Sequence, residues 1–109
     1  MIFNCEKIVY SLEENWDELV NITFVNNKNY LSLSSLAYED EIGIELNDQI
    51  NYISLLKSDF NFELKEGFLH IIIDKIIIQN NFSDLEFSIK FEDNGFEKLE
   101  RALIALTAE

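Results

Sequence analysis

Leu85-Glu86-Phe87-Ser88-Ile89-Lys90-Phe91-Glu92-Asp93-Asn94-Gly95-Phe96-Glu97-Lys98-Leu99-Glu100-Arg101-Ala102-Leu103-Ile104-Ala105-Leu106 carries two periodicities, one directly after the other. Leu85, Phe87, Ile89 and Phe91 alternate with Glu86, Ser88, Lys90 and Glu92, a period of two that sets large apolar side chains on one face of a strand and polar ones on the other. After Asp93-Asn94-Gly95 the period changes. Phe96, Leu99, Leu103 and Leu106 fall at i, i+3, i+7 and i+10, one stripe of an α-helix. Asp93 or Asn94 can cap that helix, and Glu97 stands one turn before Arg101, a favourable exposed pair. A helix with a single apolar stripe must cover something, and a sheet with one apolar face is the partner this chain offers.

The rest of the chain supplies that sheet. Residues 3–12 read as an opening strand with Ile8, Tyr10 and Leu12 on one face. Ser11-Leu12-Glu13-Glu14 has the form of a capping box, and Trp16, Leu19 and Val20 follow Leu12 at helical spacing. The Thr- and Val-containing stretch 21–25 pulls the same region toward strand, so helix and loop both stand open for 12–20. Asn26-Asn27-Lys28-Asn29 is a turn, because Asn tolerates left-handed backbone, and it joins strands at 20–25 and 30–36 into a hairpin. Ile42, Ile44 and Leu46 alternate with Gly43, Glu45 and Asn47, and a further strand begins near Tyr52. Phe60, Phe62 and Leu64 alternate again, Lys65-Glu66-Gly67 turns, and 68–73 is apolar enough to be a central strand. Asp74-Lys75 either turns the chain into 76–79 or interrupts one long bent strand. The predicted fold class is α+β: an antiparallel β-sheet meander of six to eight strands, with the C-terminal amphipathic helix packed on one face, in a single domain spanning 1–109.

Composition narrows the function classes. At 109 residues and 48% hydrophobic content the chain can bury one core, and it has neither repeat nor linker. The Met1-Ile2-Phe3-Asn4-Cys5-Glu6-Lys7 start lacks a basic segment followed by an apolar one, so neither signal peptide nor membrane span is expected. A single cysteine allows no internal disulfide and suits the reducing cytoplasm, the predicted location. The decisive number is charge: 21 acidic against 8 basic residues, a net of −13. That surface repels nucleic acid and anionic membranes and attracts a basic protein partner.

Catalytic and metal constellations are poorly supplied. His70 alternates with Leu69 and Ile71 in an apolar strand, which suits a histidine at a sheet surface better than a general base. Cys5 has only Lys7 nearby to lower its pKa and reads as a small strand residue. Gly95, tested as the sixth position of a calcium loop, makes Lys90 the first ligand and Arg101 the twelfth, both of the wrong charge. Paired carboxylates arise by chance among 21 acids. No cofactor, metal or catalytic residue is predicted.

Tyr38-Glu39-Asp40-Glu41-Ile42-Gly43-Ile44-Glu45-Leu46-Asn47-Asp48 remains, five carboxylates in eleven residues without a basic residue among them. Like charges this close repel, and a counter-charged partner relieves the repulsion. Tyr38 and Tyr52 flank the segment, and tyrosine is a frequent interface anchor. The plainer reading is a solvated strand face with tyrosines at the core edge. The sharper one makes Tyr38, Glu39, Asp40, Glu41, Glu45, Asp48 and Tyr52 a partner-binding set.

Leu85 to Leu103, preceded by Ile44-Glu45-Leu46-Asn47-Asp48-Gln49, resembles one of the numbered families of immunity proteins that neutralise bacterial polymorphic toxins, and the similarity runs from Tyr38 onward. The chain departs from that pattern by lacking a glycine-rich turn after the Asn-Asp-Gln segment. The resemblance implies a small acidic cytoplasmic protein, not an enzyme, that binds and blocks a basic toxin domain, for instance a nuclease delivered by contact-dependent growth inhibition. Two alternatives stand beside it. One is an acidic chaperone or generic protein-binding module of a secretion system, which a homodimer through a long strand or helix would favour. The other is a small hydrolase using paired carboxylates, the weakest of the three.

Overall fold

The computed structural model describes residues 2–11, 18–36, 39–72, 86–91 and 95–108. Among these residues run nine strands and a helix: β1 (Ile2–Asn4), β2 (Lys7–Tyr10), β3 (Leu19–Val25), β4 (Tyr30–Leu36), β5 (Glu41–Leu46), β6 (Asp48–Leu56), β7 (Asn61–Lys65), β8 (Phe68–Ile72), β9 (Glu86–Lys90) and α1 (Phe96–Thr107). The strands are mostly antiparallel and the helix packs against β3 and β4, an α+β fold as the sequence predicts. They divide over two sheets: a large one ordered β2-β3-β4-β5-β6 and a small one ordered β1-β9-β8-β7.

The predicted opening strand is where the two sheets meet. Its alternation holds, with Ile8 and Tyr10 half-buried and Lys7 and Val9 exposed, but the strand breaks at Cys5 and Glu6. The Cys5 amide still donates to the Lys90 carbonyl of β9 at 2.8 Å, while the next amide, of Glu6, donates to the Val25 carbonyl of β3 at 2.9 Å. The chain changes partner strand within one residue. β1 pairs with β9 in parallel, which sets it apart from the meander of the remaining strands.

One face of the large sheet is core. Val20, Ile22, Phe24, Leu31, Leu33, Ile42, Ile44, Ile53 and Leu55 are buried at every second position, the pattern of a pleated strand with one dry side. Leu69, Ile71 and Ile89 of the small sheet, with Leu99, Ala102, Leu103 and Leu106 of α1, belong to the same cluster. The stripe predicted on α1 is thus the buried one, with Ala102 added to it and Phe96 half-buried. Its N-cap position falls on Gly95, without a side-chain cap; Asp93 and Asn94 lie outside the described residues.

The helix is fixed at its other end. Ser35 Oγ donates to the Leu106 carbonyl at 2.8 Å. Lys57, only 4% exposed, sends Nζ to the Ala108 carbonyl at 2.7 Å and to the Leu36 carbonyl at 3.0 Å. A cation at a helix C-terminus meets the negative end of the helix dipole, and these bonds offset the cost of burying the ammonium. No basic residue lies in the last turn of α1, so Lys57, from the 3-10 turn Lys57–Asp59 after β6, supplies what the helix lacks.

Two local expectations resolve differently. Leu19 and Val20 belong to β3, so a helix from Ser11 cannot include them; 12–17 lie outside the described residues. The turn at 26–29 forms as predicted but without left-handed backbone: Asn26 Oδ1 accepts the amides of Lys28 and Asn29 at 3.1 and 2.9 Å. Left-handed backbone appears instead at Gly67, φ 75°, between β7 and β8, and at Asn47, φ 64°, between β5 and β6. Asn47 makes the tight turn from β5 into β6, and asparagine tolerates the left-handed backbone this requires. β8 is flanked by β7 and β9, the central position its apolar sequence predicts, and the stretch 74–79 lies outside the described residues.

Candidate functional site

The outer face of the large sheet is built by the alternate residues of the same strands that fill the core. Register sets them in rows: Asn21, Ser34, Gly43 and Ser54 in one, Thr23, Ser32, Glu45 and Tyr52 in the next. On β3 and β4 the side chains satisfy one another. Asn21 Nδ2 donates to Ser32 Oγ at 3.1 Å, Thr23 Oγ1 donates to Asn21 Oδ1 at 3.0 Å, and the Thr23 and Ser32 hydroxyls are 3.1 Å apart.

Toward β5 and β6 the face sinks into a depression of about 260 Å³ lined by Leu19, Ser34, Ser35, Leu36, Glu39, Glu41, Gly43, Tyr52 and Ser54. Its floor is glycine for a steric reason. A Cβ on Gly43 would stand 2.5 Å from Tyr52 Oη and 3.0 Å from two of its ring carbons, so the ring lies across the space a side chain would fill. Gly43 is consequently buried on a face that is otherwise open, and Tyr52 stays 43% exposed. No basic side chain lines the depression, and no cation pairs with Glu39 or Glu41 among the described residues.

The structure brings together much of the predicted partner-binding set. Glu39, Glu41 and Tyr52 share the depression, and Glu45 sits in the Tyr52 row, where its carboxylate accepts the Tyr30 hydroxyl at 2.7 Å. Asp40 is exposed beside them, and its carbonyl accepts the Lys57 amide at 2.7 Å. Asp48 opens β6, beyond a register shift that follows Glu45. Tyr38 and the Asp48 side chain lie outside the described residues. Sequence reasoning missed Tyr30, Gly43, Leu19 and Leu36. A glycine between two isoleucines of a strand does signal close approach by a neighbour, but the register sets Ser54 opposite Gly43, and only the placement of the Tyr52 ring, reaching over from the next row, identifies the neighbour.

Asn47 closes this end of the face. Its amide donates to the Tyr30 carbonyl at 3.0 Å, and its Oδ1 accepts the Tyr30 amide at 3.0 Å. The side chain thereby continues the β4–β5 ladder one step past the strand.

A second cleft, of about 310 Å³, opens at the bend between β1 and β2, lined by Cys5, Glu6, Lys7, Ile8, Tyr10, Phe91, Gly95 and Lys98. Its reactive groups are turned to structure. Lys98 Nζ lies 4.8 Å from the centre of the Tyr10 ring, a cation–π distance. Cys5 Sγ donates to the Lys7 carbonyl at 3.1 Å. Burial pushes the Cys5 thiol above its ordinary value. Burial, with Cys5 nearby, pushes the Tyr10 phenol up to about 12. Both groups therefore hold their protons at neutral pH, the opposite of what a nucleophile requires.

His70 is half-buried on β8, opposite Glu63 and Ser88, with its ring edge-on to Phe68 at 6.3 Å between centroids. Among the described residues no three His, Cys, Asp or Glu side chains converge as a metal site, and no helix is long and apolar enough to cross a membrane. No protein-family model, no curated protein and no solved structure matches the chain.

Proposed function

We propose that this chain is an immunity protein of the kind its C-terminal stretch resembles, binding a cognate basic toxin domain and neutralising it by occlusion, without catalysis of its own. One observation carries the reading: Glu39, Glu41, Glu45 and Tyr52 gather on one sheet face around a depression that no basic side chain lines among the described residues. A basic active-site cleft laid against this face gains charge complementarity, and Tyr52 with Leu36 and Leu19 offers apolar contact at its centre. The net charge of −13 accelerates encounter with such a partner, and desolvated charge pairs slow its release.

The test is co-expression with the C-terminal domain of a large secreted protein encoded beside this gene. The expected result is rescue of growth and a complex that survives purification. Glu39→Lys with Glu41→Lys should weaken that complex by about 2–4 kcal/mol, roughly thirtyfold or more, while moving stability by less than about 0.5 kcal/mol. Toxicity that the wild-type chain does not relieve would overturn the reading, and unchanged affinity in the double variant would overturn the site.

A further inference from the structure

Among the described residues the large sheet ends in β6, and its register tells which backbone groups that edge presents. The Lys57 amide donates to the Asp40 carbonyl, and the pairing Glu41 to Leu56, Ile42 to Leu55, Gly43 to Ser54 and Ile44 to Ile53 continues from it. In an antiparallel pair, opposed residues alternate between those that bond each other and those that do not. Asp40 and Lys57 are a bonding pair, so Ile42 with Leu55 and Ile44 with Ile53 are too. The other edge of β5 agrees: Asn47 bonds Tyr30, which makes Glu45 and Gly43 the residues of β5 that bond β4. The N–H and C=O groups of Tyr52, Ser54 and Leu56 therefore point away from β5. The side chains of these residues are exposed, while Ile53 and Leu55 between them are buried.

This edge lies beside the acidic depression, whose lining includes Ser54, a small exposed side chain flanked on the same face of β6 by the larger Tyr52 and Leu56. A strand added to β6 would run about 5 Å from it and about 10 Å from β5. A lysine or arginine opposite Ser54 is long enough to cross it, lay its stem against Tyr52 and bring its charge to Glu41 and Glu39.

We propose that β6 takes an extended basic segment of the partner as an additional strand of the large sheet, with alternate Lys or Arg side chains reaching over Ser54 into the depression. This deepens the reading of the acidic face as a binding surface for a basic protein and rests on it. Backbone pairing along β6 supplies affinity, and the acidic depression selects the basic side chain.

The probe is a synthetic peptide of about eight residues alternating valine and lysine, long enough for one strand, set against the same peptide with alternate backbone nitrogens methylated. Binding to the full chain is followed by fluorescence anisotropy and by amide hydrogen exchange. The unmodified peptide should bind, slow exchange at Tyr52, Ser54 and Leu56, and lose at least about tenfold in affinity on methylation, on Ser54→Pro, and on Glu39→Gln with Glu41→Gln. Proline at Ser54 removes only an outward N–H, and the methylated peptide keeps the test valid should that variant fold poorly. Equal binding of both peptides, absence of binding, or unchanged exchange at these three amides overturns the proposal. Toxin rescue that survives Ser54→Pro with an indifferent peptide would remove the edge and leave the immunity reading. A peptide that pairs with β6 while no neighbouring toxin is neutralised would do the reverse.

Discussion

The β3/β4 half and the β5/β6 half of the same sheet face are made from similarly polar side chains and treat them in opposite ways. Asn21, Thr23 and Ser32 close a small hydrogen-bonded network among themselves, so that half needs nothing from outside. Glu39 and Glu41 line one depression with no cation against them among the described residues, beside Gly43 and the Tyr52 ring that lies over it. Polarity alone therefore does not mark an interaction surface. What marks it is polarity that the fold leaves unsatisfied next to apolar area.

Three substitutions probe that contrast. Lys57→Met should have the largest effect, because its amine ties the ends of β4 and α1 to the end of β6, on which the acidic half stands. Removing it leaves two carbonyls without their charged donor, and we expect a loss of about 2–4 kcal/mol, read as a lower urea midpoint. A midpoint unchanged by Lys57→Met would mean that the acidic half does not depend on the clamp. Thr23→Val acts within the satisfied half. It should cost about 1 kcal/mol of stability and leave toxin binding untouched in a titration, whereas a loss of binding would erase the distinction between the halves. Gly43→Ala should be the mildest for the fold, under about 1 kcal/mol, since the colliding atoms are the far end of the exposed Tyr52. Its signature is displacement of that ring, visible as altered tyrosine NMR shifts, with a severalfold weaker complex.

The inward side of the fold was legible because burial imposes period. Phe96, Leu99, Leu103 and Leu106 on α1, and Ile42 with Ile44 on β5, announce themselves by spacing, and a one-residue slip of β5 would turn its two isoleucines to the outer face. The outward acids were legible as a cluster, since Glu39, Asp40 and Glu41 adjoin in sequence. What could not be read is what depends on pairs distant along the chain. Tyr30 meeting Glu45, Tyr52 covering Gly43 and Lys57 reaching Ala108 require the register and the packing of α1, and no local pattern encodes them. The break at Cys5 and Glu6 was hidden for the same reason: both sides of it are good strand, and only the arrangement of partners divides them.

That break has a consequence in time. β3 to β6 are neighbours in sequence joined by short turns, so their pairing closes small loops and can proceed as soon as they exist. β1 pairs with residues 88–90, nearly the whole length of the chain away. Its docking waits for β9, and a chain emerging from the ribosome presents the large sheet well before the small one can be completed. The acidic face belongs entirely to the part that assembles first.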